Sequence, residues 1–311
     1  MDRPTSEPLD ILIGYTQGIS FMTRFRKLTV REDEVVTDQD SGRKVFHASD
    51  SHSFIQAAGY LKYICAQESG KTVYYRGQGR IYDRLSPSLF RKVKRQATEE
   101  DRIRRMKSYI DGARSNLDIL DSLPHLVVEP LLQHYGLRTT WLDLVDNVWV
   151  ALWFACNSAY TTGIANQYLH FERRDKKGDE DQYAYVVCVK AGKSDSGSLQ
   201  GVFEDKETRV VDLRLATPSV FVRPHAQHGV LFKLKRDMER RKVDYSSSVA
   251  GVIRVELRDA IDWIGDGRLL NTHSLFPPPH YDNGYKLLLR DAPELDKYTA
   301  RRLGGIHHVG A

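Results

Sequence analysis

From Val148 to Ala155 the chain reads Val-Trp-Val-Ala-Leu-Trp-Phe-Ala, and this run restricts the fold more than any other segment. A helix that is apolar on every side cannot lie at a surface, so the run predicts a central helix with neighbours packed all around it. With Asp143 as its cap, the helix is expected over Asp143 to Tyr160. Extended to Cys156 the apolar run is still far short of the roughly 20 residues that cross a bilayer. It therefore belongs to a core, and a chain of 311 residues with 41% hydrophobic content can build a large one.

The elements around it follow from periodicity. Phe54, Ala57, Ala58, Leu61 and Ile64-Cys65 repeat at helical spacing from Ser53 to Glu68, with Ser53 as cap and Gly70 as terminator. Lys71-Thr-Val-Tyr-Tyr75 reads as a short strand that delivers Arg76-Gly77 at its end. A charged helix is expected from Thr98 to about Leu120, and a short one from Pro130 through Tyr135, ended by Gly136. Ile11 to Tyr15 and Lys27 to Val30 are strand candidates in the first fifty residues. In the second half Gln182 to Lys190, Ser219 to Arg223, Gly229 to Lys235 and Gly251 to Leu257 read as strands. The sum is an α+β fold: a helix-rich first half packed on a mainly antiparallel sheet. Residues 1–50 are read as a strand-containing extension, 51–292 as the main domain and 293–311 as a C-terminal tail, with His307-His308 disordered in it.

Several function classes drop out. The chain has no G-x-x-x-x-G-K-S/T loop, no G-x-G-x-x-G after a strand and no H-E-x-x-H. Cys65, Cys156 and Cys188 sit among apolar neighbours, as buried hydrophobes and not as disulfide partners, nucleophiles or ligands, and no metal site is expected. Met1-Asp2-Arg3-Pro4 lacks a basic-then-apolar signal pattern, and a reduced, cytoplasmic setting is expected. The net charge of +5 permits an anionic partner without requiring one. Its basic clusters (Arg24 to Lys27, Arg91 to Arg95, Lys233 to Lys242) read as solvated faces, with nucleic-acid contact as the alternative.

Two blocks carry chemistry. In Tyr75-Arg76-Gly77-Gln78 the guanidinium offers a planar fork of donors, and glycine lets a ligand approach the backbone. The rival reading of Arg76 is a buried ion pair with Asp143. The second block runs Gln133-His134-Tyr135-Gly136-Leu137-Arg138-Thr139-Thr140-Trp141-Leu142-Asp143. His134 suits a general acid or base, a ligand hydroxyl, or simple satisfaction of backbone carbonyls. Tyr135 suits ring stacking or packing, and Asp143 a ligand contact or a helix cap.

Together the blocks resemble the FRG domain family, named for an F/Y-R-G motif followed by a block close to H-Y-G-L-P-T-R-L-L-D-W and an apolar helix. Tyr75-Arg76-Gly77 matches the first motif. His134-Tyr135-Gly136-Leu137, Thr139, Leu142 and Asp143 match the second, and Ala151 to Ala155 the helix. Arg223-Pro-His-Ala-Gln227-His-Gly229 and Leu275-Phe-Pro277 look like later family elements, which extends the likeness over roughly residues 50 to 290. Arg138 stands where the family has proline, and Thr140 where it has arginine.

The opening motif is also similar to the first strand of arginine-containing ADP-ribosyltransferases. That likeness implies a split sheet and a site for NAD, taken as substrate. It implies Arg76, His134 and Gln227 as catalytic residues, with Gln227 on a late strand where such transferases carry a glutamate. Tyr75, Arg76, Gly77, Gln78, Tyr135, Thr139, Asp143 and His228 would bind the nucleotide. The expected function is an ADP-ribosyltransferase-like toxin or antiphage defence effector acting on an unidentified macromolecule. The alternatives are a non-catalytic ligand-sensing module using the same groove, and a nucleic-acid-binding protein.

Overall fold

The computed structural model describes residues 10–14, 20–24, 35–91, 96–175, 182–193, 199–235, 243–265, 267 and 269–309. The strand candidate at Lys27 to Val30 lies outside them. The chain begins with a hairpin of β1 (Asp10–Gly14) and β2 (Ser20–Arg24), then β3 (Val35–Thr37), β4 (Lys44–Ala48), α1 (Ser51–Ser69) and β5 (Lys71–Gln78). Next come α2 (Gln96–Asn116), α3 (Asp118–Asp121), α4 (His125–His134), β6 (Leu142–Val145), α5 (Val148–Cys156), β7 (Asn157–Thr162) and β8 (Tyr168–Arg173). The remainder holds β9 (Tyr183–Gly192), β10 (Val202–Glu204), β11 (Thr208–Asp212), α6 (Leu213–Ala216), α7 (Val222–Gln227), β12 (Gly229–Leu234) and β13 (Val249–Glu256). It closes with α8 (Leu257–Ile264), α9 (Thr272–Leu275), α10 (Asn283–Asp291), α11 (Lys297–Leu303) and β14 (His308–Val309).

Nine strands form one sheet in the order β10-β11-β12-β6-β5-β9-β13-β4-β3. All its pairs are antiparallel except β13 with β4. The expected α+β class with a mainly antiparallel sheet is what the chain adopts. The sheet is nearly cut in two. Strand β5 pairs with β9 along its whole length, from Lys71 opposite Gly192 to Gln78 opposite Tyr185. Its other edge meets β6 at a single registered pair, Tyr75 with Val145. Beyond that pair the two halves of the sheet part.

Helix α5 explains the parting. A Cβ added to Gly77 would lie 1.8 Å from the carbonyl oxygen of Ala151 and 2.6 Å from the nitrogen of Ala155. At Gly77 the helix therefore rests on β5 backbone to backbone, against Ala151 and Ala155. Val150, Ala151, Leu152, Trp153, Ala155 and Cys156 are buried, as the apolar run requires. The helix is nine residues long, not the expected eighteen or so, because Asn147 caps it and Asn157–Thr162 turns into strand β7. The Asn147 side chain accepts the Trp149 amide at 2.9 Å. Asp143 is thus a strand residue of β6, and the cap role expected for it belongs to Asn147.

Other local expectations shift for similar reasons. In α1 the cap is Asp50, whose carboxylate accepts the His52 and Ser53 amides; Ser53 sits at the third helical position and completes the capping box. Helix α4 starts after Pro124 and carries Pro130 inside it, held by the burial of Val127, Val128, Leu131 and Leu132. The stretch Ser219 to Arg223, read as a strand, leads into helix α7. No helix among the described residues is long and apolar enough to cross a membrane.

Alternation along β6 decides which way its side chains point. Leu142 and Leu144 join the core cluster of Tyr74, Val187, Phe232 and Tyr245, while Val145 joins that of α1 and α5. Asp143, one residue from Leu142 and from Leu144, faces the helical side. In β5, Tyr75 belongs to the helical side and Tyr74 to the other, so Arg76 leaves on the face opposite Asp143.

Gly77→Ala forces β5 and α5 apart at a contact of backbone on backbone. It is expected to destabilise the fold by about 3 kcal/mol or more, the upper end for overpacking. Urea unfolding monitored by circular dichroism measures it, with Gly59→Ala, which has open space at its Cβ position, as the tolerated control.

Candidate functional site

The unpaired ends of β5 and β6 put Arg76 beside Asp143. The guanidinium donates through Nη1 to the Asp143 carbonyl at 2.6 Å, bridging the gap that the missing strand ladder leaves. Burial pulls the Arg76 guanidinium below its ordinary pKa, while the charge of Asp143 and then Tyr82 push the other way. The Asp143 carboxylate faces His134, the last residue of α4, with Oδ1 3.7 Å from His134 Nδ1. The His134 ring is held in place by β12: it packs so closely on Gly229 that a Cβ there would meet Cε1 at 2.5 Å.

This cluster is short of partners. Arg76 Nε, both ring nitrogens of His134 and Asp143 Oδ1 are buried and make no hydrogen bond. The His134 side chain is 1% exposed, while that of Asp143 is 40% exposed, so the carboxylate has one oxygen inside and one toward solvent. Each buried polar atom without a partner costs about 1–3 kcal/mol. Four of them within one small region mark a place where an additional polar group would be welcome.

Other residues singled out from the sequence have structural work. Tyr135 is fully buried; its hydroxyl donates to Asp282 at 2.7 Å and its ring stacks on Tyr285. Arg223 lies over both rings, 4.4 Å from each centroid, and donates to the His134 carbonyl at 3.2 Å. Tyr135 therefore packs and does not stack on a ligand. Thr139 is buried, donates to Gln133 and accepts the Trp141 amide at 3.2 Å, which shapes the loop into β6. Tyr75 is a core residue, Gly77 is the seat of α5, and Gln78 is buried at the end of β5.

Gln227 is not on a strand. It ends helix α7 and donates through Nε2 to the Leu275 carbonyl at 2.7 Å, so its amide is committed to α9. The strand β12 begins two residues later, after His228 has turned the chain with a φ of +53°. His228 faces Arg214 at 3.0 Å, in a group where Arg214 also pairs with Asp146 and Asp212. Burial and then Arg214 hold the His228 pKa below its ordinary value. Arg76 thus reaches the Asp143 carbonyl and His134 its carboxylate, while Gln227 and His228 are engaged elsewhere.

The structure adds residues that sequence reasoning passed over. The exposed Tyr82 and the arginines Arg91 and Arg138 act electrostatically on the same site as Arg76 and Asp143. Arg91 stood in a noted basic cluster; Arg138 was visible only as the residue replacing the family proline. The C-terminal residues also contribute. His307, expected in a disordered tail, donates its amide to the Tyr135 carbonyl at 3.0 Å, and His308 starts β14, which pairs with β8. Arg138 in turn takes the carbonyls of Arg301 and Arg302.

Residues 71–162 match the family model of the FRG domain. The chain carries an FRG domain. The matched span opens on the first residue of β5 and closes on the last of β7, so it holds Arg76, His134 and Asp143 together with α5. The Arg223-to-Gly229 element and Leu275-Phe-Pro277 lie beyond it. No curated protein and no solved structure matches the chain.

His307, packed behind the FRG block, makes stability depend on pH. Burial, then repulsion from Arg223, Arg138 and His308, lowers the His307 pKa to about 4. The unfolded ring takes up its proton near pH 6.5 and the folded one only near 4, so the unfolded state binds more protons between them. Stability is expected to be full above pH 6.5 and to fall, by at most about 3 kcal/mol, as pH drops toward 4. Urea titrations at pH 7.5 and 4.5 should show the loss in the wild type and a smaller one in His307→Gln.

Proposed function

We propose that this chain is an ADP-ribosyltransferase-like protein that takes NAD at the opening between β5 and β6. The observation that carries the reading is the group of unsatisfied buried polar atoms on Arg76, His134 and Asp143 where the sheet parts. Arg76, tethered by one nitrogen to the Asp143 carbonyl, keeps the rest of its fork for the NAD diphosphate. Asp143 takes the part that the sequence had given to Gln227. Its partly exposed carboxylate supplies the negative charge that glutamine lacks, opposite the positive charge that develops on the ribose.

The transfer balances without an outside oxidant. The bond between the nicotinamide nitrogen and ribose C1 breaks, and nicotinamide leaves with the electron pair. An acceptor nucleophile forms the new bond to C1 and gives up its proton. His134, with a ring nitrogen 3.7 Å from the Asp143 carboxylate, is the group suited to receive that proton or to hold a ribose hydroxyl. A role as toxin or defence effector rests on the family resemblance and on this chemistry.

The commitment of Gln227 to Leu275 favours a second reading in which the same site senses a nucleotide without turning it over. One set of measurements separates them. Calorimetric titration of NAD into wild type should show binding, weakened about tenfold or more in Arg76→Ala with its melting temperature checked. Nicotinamide release should fall by about a hundredfold in Asp143→Asn while NAD still binds. Binding without any release supports the sensor; no binding by wild type, or equal binding by Arg76→Ala, removes both.

A further inference from the structure

The arginines around the opening share an unusual kind of partner. Arg76 donates to the Asp143 carbonyl, Arg91 to that of Ser86, Arg102 to those of Leu89 and Arg91, and Arg138 to those of Arg301 and Arg302. Among the described residues none of the four has a carboxylate within ion-pair distance. A guanidinium fixed by carbonyls is oriented but not neutralised, so the four keep their positive charge in the field of one another. Arg91 feels Arg76 and Arg138, and Arg102 feels Arg138 and Arg302. At the far end Asp101 is shared by Arg104, Arg105 and Arg302, which leaves that end positive as well.

Fixing like charges within one another's field costs stability. Burial aside, each hydrogen bond above would be served by a neutral donor. The arrangement suits a chain of phosphates: guanidinium charges held in fixed orientation by carbonyls of α11, of the segment around Ser86 to Arg91 and of β6. An aromatic ring stands at that mouth. Tyr82 is 45% exposed, acts on both Arg76 and Arg91, and has Arg80 over its face at 4.9 Å. Cations that track a backbone, with an exposed ring for a base, are the elements of single-stranded nucleic-acid binding.

We infer that the face formed by Arg91, Arg102 and Arg138 with Tyr82 binds a single strand of nucleic acid and leads it to the opening at Arg76. The inference is separate from the NAD reading, because it uses residues along the approach and is tested without NAD. A single strand is favoured over a duplex because one exposed ring beside a group of arginines offers stacking to an unpaired base, which a duplex keeps inside.

The test is fluorescence anisotropy with fluorescein-labelled oligothymidylate and oligouridylate of about 12 nucleotides, over a series of salt concentrations. Binding of either should weaken steeply with salt, with a slope of about −0.7 per phosphate engaged. Arg138→Gln and Tyr82→Ala should each weaken it about tenfold. Arg290→Gln, on an exposed pair with Asp291 far along the chain, should leave it unchanged. Urea unfolding confirms that each variant is folded, and Arg91→Gln replaces Arg138→Gln should the latter not fold. Absence of binding at low salt overturns the inference. So does equal affinity for a duplex of the same length, or a loss in Arg290→Gln as large as in the two site variants.

Discussion

The contact of Gly77 with α5 sets the geometry of everything near it. A helix lying on a strand at backbone distance leaves no room for side chains between them, which is why glycine faces Ala151 and Ala155 there. The chain reaches α5 from β6 through only Asp146 and the cap Asn147, so β6 must turn away from β5 almost at once. One registered pair, Tyr75 with Val145, is what remains between them. Backbone groups that a ladder would have satisfied must find other partners. The Arg76 guanidinium is one such partner, spanning the gap to the Asp143 carbonyl. The same residue that closes the gap structurally keeps a charged fork at its mouth.

Two polar groups on either side of His134 show how satisfied and unsatisfied sites differ. Behind it, Asp282 accepts the Tyr135 hydroxyl and the amides of Arg223 and Tyr285, and the Arg223 guanidinium lies over both tyrosine rings. That network is complete on the carboxylate side, and it fixes the end of α4. The arginine side is less complete, since Arg223 Nε and Nη2 are buried without partners. In front, the two ring nitrogens of His134 and one oxygen of Asp143 have nothing, and these atoms lie where the sheet opens.

The sequence made some of this legible. The all-apolar run identified α5, and the strand character of Lys71 to Tyr75 identified β5, because both signals are contained within a few neighbouring residues. The site was legible only in part. His134-Tyr135-Gly136 reads as a unit, yet alternation of neighbours sends the histidine to the opening and the tyrosine into the core, a choice made by Phe221 and Tyr285 from distant segments. Asp143 looked like a cap because Leu-Asp-Leu-Val is too short for strand and helix periods to differ. Gln227 was misplaced by two residues of context: the strand does begin at Gly229, but His228 adopts a left-handed turn that ends a helix first. His307 looked like tail because nothing in Gly-Gly-Ile-His-His shows that Tyr135 and Tyr285 wait for its backbone.

The order of charges at the opening gives a ligand its direction. Arg91 feels the charge of Arg76 there, and Asp143 is a carboxylate that both feel. Two unit charges about 4 Å apart at an effective dielectric near 20 interact by about 4 kcal/mol, enough to fix which end of a dipolar ligand goes where. On the proposed reading the diphosphate of NAD lies toward the arginines and the positively charged nicotinamide riboside toward Asp143 and His134. The reverse orientation would set phosphate against carboxylate and cation against guanidinium. Glutamine at position 227, already held by Leu275, adds no charge to either end, so the polarity of the site comes from Asp143 set against its arginines. A carboxylate that is half inside also strengthens as the ligand covers it, because the water that screens its outer oxygen is displaced at the moment that positive charge arrives.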